Sequence, residues 1–170
     1  MIKLPRVQHV RRQRGAAIVE FAMISLIFFT LLFGALELAR MMYIYNTLQE
    51  VTRRAAREMT VRWITQEATV KNLALFGSAT LPGGDTIDSS SIKIEYLAAD
   101  GNTVTVFPSD PSDNLSACGD ATRTASCIYS VRVSINPISY SPMRSLFSFL
   151  NIAMPGSSVT MHAESMGFES

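Results

Sequence analysis

The sequence predicts an α+β protein in which a long N-terminal helix packs on a small, mostly antiparallel β-sheet. No side chain from Phe21 to Leu36 is charged, and no proline or glycine interrupts residues 35–76. Both features favour a long helix. Beyond residue 77, several short segments alternate between apolar and polar residues, which is the period of a half-buried strand. A sheet of this kind buries one face, and a helix is the usual cover.

The first element is a basic leader followed by an apolar run. Residues 1–14 carry five basic side chains and no acid. Residues 16–39, hereafter the predicted span, would form about 36 Å of helix, enough to cross a bilayer core of about 30 Å. A cleaved secretory signal has a shorter apolar core and a small-residue cleavage site close behind it. We therefore expect a retained membrane helix.

The charge distribution predicts the orientation of that helix. Cytoplasmic flanks carry an excess of lysine and arginine, so the leader is expected in the cytoplasm and everything after Arg40 in the periplasm. Arg53, Arg54 and Arg57 weaken the asymmetry, although they are accompanied by Glu50 and Glu58. The leader is the denser cluster. The sequence thus indicates a single-pass membrane protein with its C-terminal domain outside.

The helix is expected to continue past the membrane as an amphipathic segment, residues 40–76. Its apolar residues recur at intervals of three or four, the helical period. They are Met41, Ile44, Leu48, Val51, Ala55 and Met59. We expect one continuous helix from Ala16 to about Ile64. Its apolar stripe should cover the core of its own domain.

Residues 77–170 are predicted to form a globular α+β domain. Pro82 to Asp85 is a turn signal within a loop spanning 77–91, and Asp100-Gly101 favours a hairpin. Residues 108–126 are expected to be a long polar loop, and 136–155 irregular or partly helical. Alternation predicts four strands: 92–96, 103–106, 129–135 and 159–163. With 48% hydrophobic residues and a net charge of +1, the chain is neither disordered nor a polyelectrolyte.

Of the two cysteines, Cys118 lies in the predicted polar loop and Cys127 directly follows it. In an oxidising compartment they are expected to form a disulfide. Closing so short a loop contributes about 2.5–3 kcal/mol in the chain-entropy model. Metal binding is the alternative, but it requires Cys-x-x-Cys spacing or nearby histidines. The chain has only His9 and His162.

Other candidate sites are weaker. The acidic loop from Asp110 to Asn114, with Asp120 nearby, has oxygen ligands for calcium but lacks the glycine and glutamate of an EF-hand. A solvated loop is the expected reading. An arginine cluster could contact phosphate, but we expect a solvated face or a lipid contact and no nucleic acid. It comprises Arg53, Arg54, Arg57 and Arg62. No nucleophile motif, P-loop or zinc motif is present, so neither an enzyme nor a cofactor is expected.

The N-terminal residues resemble a known family. Arg14-Gly15, Val19-Glu20-Phe21-Ala22, Phe33-Gly34, Glu37 and Arg40 are similar to the signature of TadE-like minor pseudopilins. These proteins belong to the tight-adherence (Tad) system, which builds Flp-type (type IVb) pili used in adhesion and biofilm formation. The resemblance is loose in the C-terminal half, through Tyr140 and Pro142. Many relatives have a proline where this chain has Leu26, so a kink there is not expected.

The resemblance implies a covalent event. Family members are cut by a prepilin peptidase after a glycine, which here is the Gly15–Ala16 bond, and Glu20 then becomes the fifth residue of the mature protein. Removing 15 of 170 residues leaves 155. A carboxylate costs about 2.5–3.5 kcal/mol at mid-membrane and is usually paired. The new amino terminus at Ala16 is the natural partner of Glu20, and with Phe21 the pair would fix the register between subunits. Alternatively, Glu20 only reaches the lipid headgroups.

The expected function is that of a minor pseudopilin in the assembly or priming of a type IVb pilus. Its expected partners are the inner membrane, prepilin peptidase, other pilins and pseudopilins, and the Tad assembly platform. The alternative is an uncleaved, single-pass, membrane-anchored periplasmic binding or sensor module. A mature N-terminus at Ala16 would support the pseudopilin, whereas an intact Met1 would support the anchored module.

Overall fold

A computed structural model of the chain describes residues 14–143, 147–148, 151–163 and 166–167. The predicted leader, apart from its last two residues, lies outside them. The fold is α+β, as predicted. The chain divides into two compact units, Met1–Leu38 and Ala39–Ser170. The second unit is called the head below.

Three helices and seven strands are present in the described residues. The helices are α1 (Arg14–Val61), α2 (Glu67–Ala74) and α3 (Pro111–Gly119). The strands are β1 (Thr80–Leu81), β2 (Gly84–Asp88), β3 (Ile92–Leu97), β4 (Ser130–Ile135), β5 (Ile138–Ser139), β6 (Ala153–Met154) and β7 (Ser157–His162). Short 3₁₀ turns occupy Ile64–Gln66, Ser89–Ser91 and Thr124–Ser126.

Helix α1 runs for 48 residues, within three residues of the end expected from the sequence. The expected amphipathic helix over 40–76 is nevertheless divided, because α1 ends at Val61 and α2 begins at Glu67. The backbone N–H of Met166 donates to the Thr60 carbonyl (3.1 Å), and Trp63 is extended. A carbonyl of the last turn is thus satisfied by the distant C-terminal segment instead of a further turn of helix.

Helix α2 ends in a left-handed turn. Phe76 and Gly77 both have positive φ, and their N–H groups donate to Leu73 and Asn72 at 3.1 and 2.9 Å. These two bonds make a Schellman motif, which satisfies the last carbonyls of the helix. The left-handed conformation favours glycine, which is present at residue 77, and Phe76 adopts it as well. The centre of the Phe76 ring lies 5.1 Å from the Arg54 guanidinium carbon.

The main sheet has three antiparallel strands in the order β3–β4–β7. Its register aligns apolar residues across the sheet, so that Ile94 faces Val133 and Val133 faces Val159. The opposite face is polar. There, Glu95 pairs with Lys93 at 2.7 Å and with Arg132 at 3.9 Å. The strands expected at 92–96, 129–135 and 159–163 are confirmed, and their alternation arises from this two-sided environment.

The fourth expected strand, 103–106, is wrong. After the turn at Gly101 only an isolated bridge joins Thr103 to Leu97. Val104 then enters the core at 2% exposure, and the Phe107 ring packs edge-on against Tyr96 at 5.6 Å. Val104 is buried in the core, whereas Phe107 keeps 46% of its surface exposed; the chain leaves the sheet edge after one pairing.

Two expected loops contain regular structure. The loop expected at 77–91 holds the β1–β2 ribbon, and 108–126 holds α3. Asp110 caps α3 by accepting from the Asp113 N–H (2.8 Å), and Pro111 occupies the first turn. This capping pattern is a helix signal that the polarity of the segment concealed. In the described part of 136–155, β5 pairs with β6.

The core of the head lies between α1, α2 and the main sheet. The predicted stripe supplies it: Ile44, Leu48, Val51, Ala55 and Met59 are each at most 3% exposed, and Met41 packs against the cluster. The Tyr96 hydroxyl donates to the Met59 sulfur at 3.6 Å. Thr52 and Ser157 share a hydroxyl hydrogen bond at 2.8 Å, which ties α1 to β7.

Candidate functional site: the apolar start of helix α1

The predicted processing residues lie on the first two turns of α1. Gly15, Ala16, Glu20 and Phe21 are all helical and exposed. A Cβ atom built on Gly15 meets no other heavy atom within 4 Å, so packing does not require glycine there. Glycine in a helix is about 1 kcal/mol less favourable than alanine. The folding of this chain therefore does not require glycine at residue 15.

Ala16 and Glu20 are four residues apart on one helix face, the spacing at which side chains become neighbours. Phe21 follows with 72% of its surface exposed. Among the described residues, Glu20 makes no ion pair. The structure therefore brings Ala16 and Glu20 close together along the chain. Their predicted role between subunits stays a prediction.

The large apolar side chains of the predicted span are all exposed, whereas Glu37 near its end is buried. An 18-residue window of this helix has a mean hydropathy of 2.4 and no share buried, and the helix is long and apolar enough to cross a membrane. The Thr30 hydroxyl donates to the Leu26 carbonyl at 2.7 Å, so this polar group is satisfied within the helix, as a lipid environment requires. Phe29 stacks on Phe33 with ring centres 6.1 Å apart.

Arg40, which follows the predicted span, is held by the head. Its guanidinium donates to the Gly83 carbonyl, the Tyr140 hydroxyl and the Ser141 carbonyl, each at 3.2 Å. It also lies 5.3 Å from the centre of the Tyr140 ring. Arg40 therefore joins α1 to the β1–β2 turn and to the segment after β5. The sequence contains a turn signal at Gly83 and a Tyr-x-Pro at residues 140–142. Neither pattern predicts a contact with Arg40.

A cavity of about 260 Å³ lies beside this contact, lined by Arg40, Ile44, Ile138, Tyr140 and Met154 among others. Small-molecule sites usually enclose about 300–1,000 Å³. The Arg40 guanidinium donates three hydrogen bonds, from Nε and Nη1, to protein acceptors. The contacts of Arg40 hold the first turn of α1 in the head against the neighbouring segments, and the cavity is smaller than a usual ligand site.

The predicted disulfide between Cys118 and Cys127 is present, with the two Cα atoms 4.7 Å apart. It joins the end of α3 to the start of the segment that enters β4. Two polar contacts support the same turn. The Asn114 side-chain oxygen accepts from the Ile128 N–H at 2.8 Å, and Arg123 pairs with Asp113 at 2.7 Å.

The acidic side chains of this region are used as local caps. A backbone N–H from Ser109 and the Arg123 guanidinium hold the pKa of Asp113 below its usual value. Hydrogen bonds from Thr122 lower the pKa of Asp120 in the same way. Within the described ranges, no group of three or more metal-ligating side chains is placed to hold an ion. The carboxylates stabilise turns and a helix start.

Comparison with known proteins gives one finding. No match to the chain was found among curated proteins, and none among solved structures. The sequence model of the TadE family, described as TadE-like protein, matches residues 15–57. That range begins at Gly15 and includes the predicted span, Arg40 and most of the buried stripe of α1. Over residues 15–57, this chain is similar to TadE-like proteins.

Proposed function

We propose that the chain is a minor pseudopilin that contributes to the assembly or priming of a type IVb pilus of the Tad system. The carrying observation is the match of residues 15–57 to the TadE family, over a helix whose first half is apolar and uncovered. In this proposal the protein sits in the inner membrane with the head in the periplasm. It acts by packing against other pilins and pseudopilins and against the assembly platform.

The proposal includes removal of the leader between Gly15 and Ala16 by prepilin peptidase. Two features of the chain support this. The basic leader would hold the bond at the cytoplasmic face. Gly15, which the fold does not need because its surroundings are open, would let the backbone enter the cleft of the peptidase.

The proposal also assigns a role to Glu20 and Phe21. Cleavage would leave an ammonium group on Ala16, one helical turn from the Glu20 carboxylate. Within lipid an unpaired carboxylate is costly. Pairing with this ammonium group, on the same or a neighbouring subunit, would offset the cost and set the register of the helices. Phe21 would pack against the neighbour.

The first test is the mature N-terminus, measured by mass spectrometry of the full chain extracted from membranes. We expect it at Ala16, with 155 of the 170 residues remaining. Gly15→Ala should slow cleavage about ten-fold or more, equivalent to about 1.4 kcal/mol of transition-state stabilisation. The fold should be unaffected, because the added methyl group meets no atom.

A matched control is Gly34→Ala, which changes another glycine of α1 without touching the proposed scissile bond. It should be cut at the normal rate. An intact Met1 in the unaltered protein would favour the uncleaved anchored module, and normal processing of Gly15→Ala would contradict the role of Gly15.

The second test replaces Glu20 with Gln, which removes the charge and keeps the size. Membrane insertion should be intact, since the neutral side chain is easier to bury. Co-purification with other pilins should fall several-fold, because the charge pair that sets the register is lost. Glu50→Gln, at an exposed position of the same helix, is the control. Unimpaired assembly of Glu20→Gln would contradict the register role.

A further inference from the structure

An apolar groove opens on the head just after the predicted span. It is formed by Met41, Met42 and Tyr45 of α1, together with Ile152, Met154 and Pro155, and encloses about 250 Å³. Below it is called the Met–Tyr groove. No charged side chain lines it. Met42 and Ile152 at its rim are 64% and 46% exposed, so a large part of this apolar surface is uncovered in the isolated chain.

The helix residues of the groove follow the predicted span immediately. Residues 41–45 lie about 3–9 Å beyond residue 39 along α1, at 1.5 Å per residue. A bilayer is about 30 Å thick in its hydrocarbon core and about 40–45 Å with its headgroup layers, which leaves about 5–7 Å for each layer. If the outer boundary of the core lies at residue 39, Met41 and Met42 lie in the outer headgroup layer, and Tyr45 lies at its edge toward the periplasm.

We propose that the Met–Tyr groove is a lipid-binding surface, seated in the outer interfacial layer and filled by the upper acyl segments of phospholipids. The inference rests on the membrane anchoring in the proposed function and adds a contact of the head itself. The lining suits this layer, where tyrosine is enriched because its ring is apolar and its hydroxyl is wet. Tyr43, the next tyrosine on α1, is also 51% exposed.

The same physics favours lipid over a second protein helix in the groove. Next to a bilayer, exchanging lipid tails for another apolar surface gains no hydrophobic free energy. A protein partner would need interhelical hydrogen bonds or charge pairs in compensation, and Tyr45 carries the single polar side-chain group of the lining. Phospholipid is present beside every copy of the chain without assembly.

The test measures depth with the full chain reconstituted in phosphatidylcholine–phosphatidylglycerol vesicles. Both native cysteines are in the disulfide, so a single added cysteine carries the fluorescent label NBD. It is placed at Met42 or Ile152 in the groove, and at Ile27 in the predicted span. Val106, 67% exposed, is the matched apolar control. Val106 lies far from the groove. Its neighbour Phe107 packs on Tyr96, and Tyr96 contacts Met59. Met59 is about 20 Å further along α1 than Tyr45.

Labels at 42 and 152 should be quenched at least about two-fold more by a nitroxide on the lipid headgroup than by one deep in the acyl chain. The label at 27 should show the opposite preference, and the label at 106 should respond to neither. Retention of the Cys118–Cys127 disulfide and of the thermal transition shows that each variant is folded.

Three results would overturn the inference. If labels at 42 and 152 behave like the label at 106 while the label at 27 is quenched by the deep nitroxide, the groove is aqueous and the anchoring stands. If labels at 42 and 152 are shielded from iodide but quenched by neither nitroxide, protein fills the groove. If the label at 27 is itself unquenched, the anchoring fails and the inference with it.

Discussion

The two halves of helix α1 both carry many large apolar side chains, yet their surroundings are opposite. In the predicted span these side chains are 42–72% exposed, whereas the stripe from Ile44 to Met59 is at most 3% exposed. The difference follows from pattern. A stripe at the helical period can be covered by one sheet, but a helix that is apolar on every side needs a surrounding medium. The second half therefore builds the core of the head, whereas the first half stays uncovered and is long and apolar enough to cross a membrane.

Replacing one apolar residue with aspartate in each half should give the largest difference between the two halves. In the head, Val51 is fully buried, and Val51→Asp places a charge in the core without a partner. We expect a loss of about 4 kcal/mol or more of unfolding free energy, visible as loss of the cooperative thermal transition of the detergent-solubilised chain.

The same change in the other half should leave the head folded. Ile27 is 61% exposed, and Ile27→Asp should instead cost about 2.5–3.5 kcal/mol of insertion free energy at the helix centre. The measurement is the fraction of chain integrated in membranes after carbonate extraction. Equal thermal destabilisation by both variants would show that residue 27 belongs to a protein core.

Removing the disulfide should affect only the head. The double variant Cys118→Ser, Cys127→Ser should lose about 2–3 kcal/mol of unfolding free energy, because the short loop regains entropy in the unfolded chain. Membrane integration should not change. Urea denaturation of the two forms measures the difference, and a reductant should shift the unaltered protein by the same amount. An unchanged midpoint would mean that the hydrogen bonds of Asn114 and Asp113 hold this turn without the bridge.

The smallest effect concerns the pH dependence of the head. Burial, with Glu67 contributing, raises the pKa of Tyr96 above its usual value of about 10. The folded state thus keeps the proton that the unfolded chain loses above about pH 10. Stability is full below that pH and falls as the pH rises. Tyr96→Phe should cost about 1 kcal/mol or less near neutrality and should flatten the alkaline decline.

Tyr129→Phe is the control for that measurement, since Tyr129 is 48% exposed and its removal should leave the decline unchanged. Thermal midpoints between pH 8 and about pH 11 give the comparison. A decline that persists in Tyr96→Phe would place its origin in other groups.

The parts of the head whose local sequence pattern matches their burial could be predicted from the sequence. The stripe of α1 and three strands follow from their periods, and the disulfide follows from two cysteines in one short segment. The expected strand at 103–106 is wrong because the chain leaves the sheet edge where Val104 enters the core. Helix α3 was missed because its polar composition concealed the Asp110–Pro111 start.

Four features follow from residues close together in the chain: the uncharged span, the adjacent basic leader, the spacing of Gly15 and Glu20, and the buried stripe. The contacts between distant segments are visible in the folded structure alone. Arg40 donates to Gly83, Tyr140 and Ser141. The Met166 N–H donates to the Thr60 carbonyl in the last turn of α1. Ile152 lines the Met–Tyr groove together with residues of α1. No local period encodes such pairings, since they arise when the folded backbone brings separated donors, acceptors and apolar surfaces within reach.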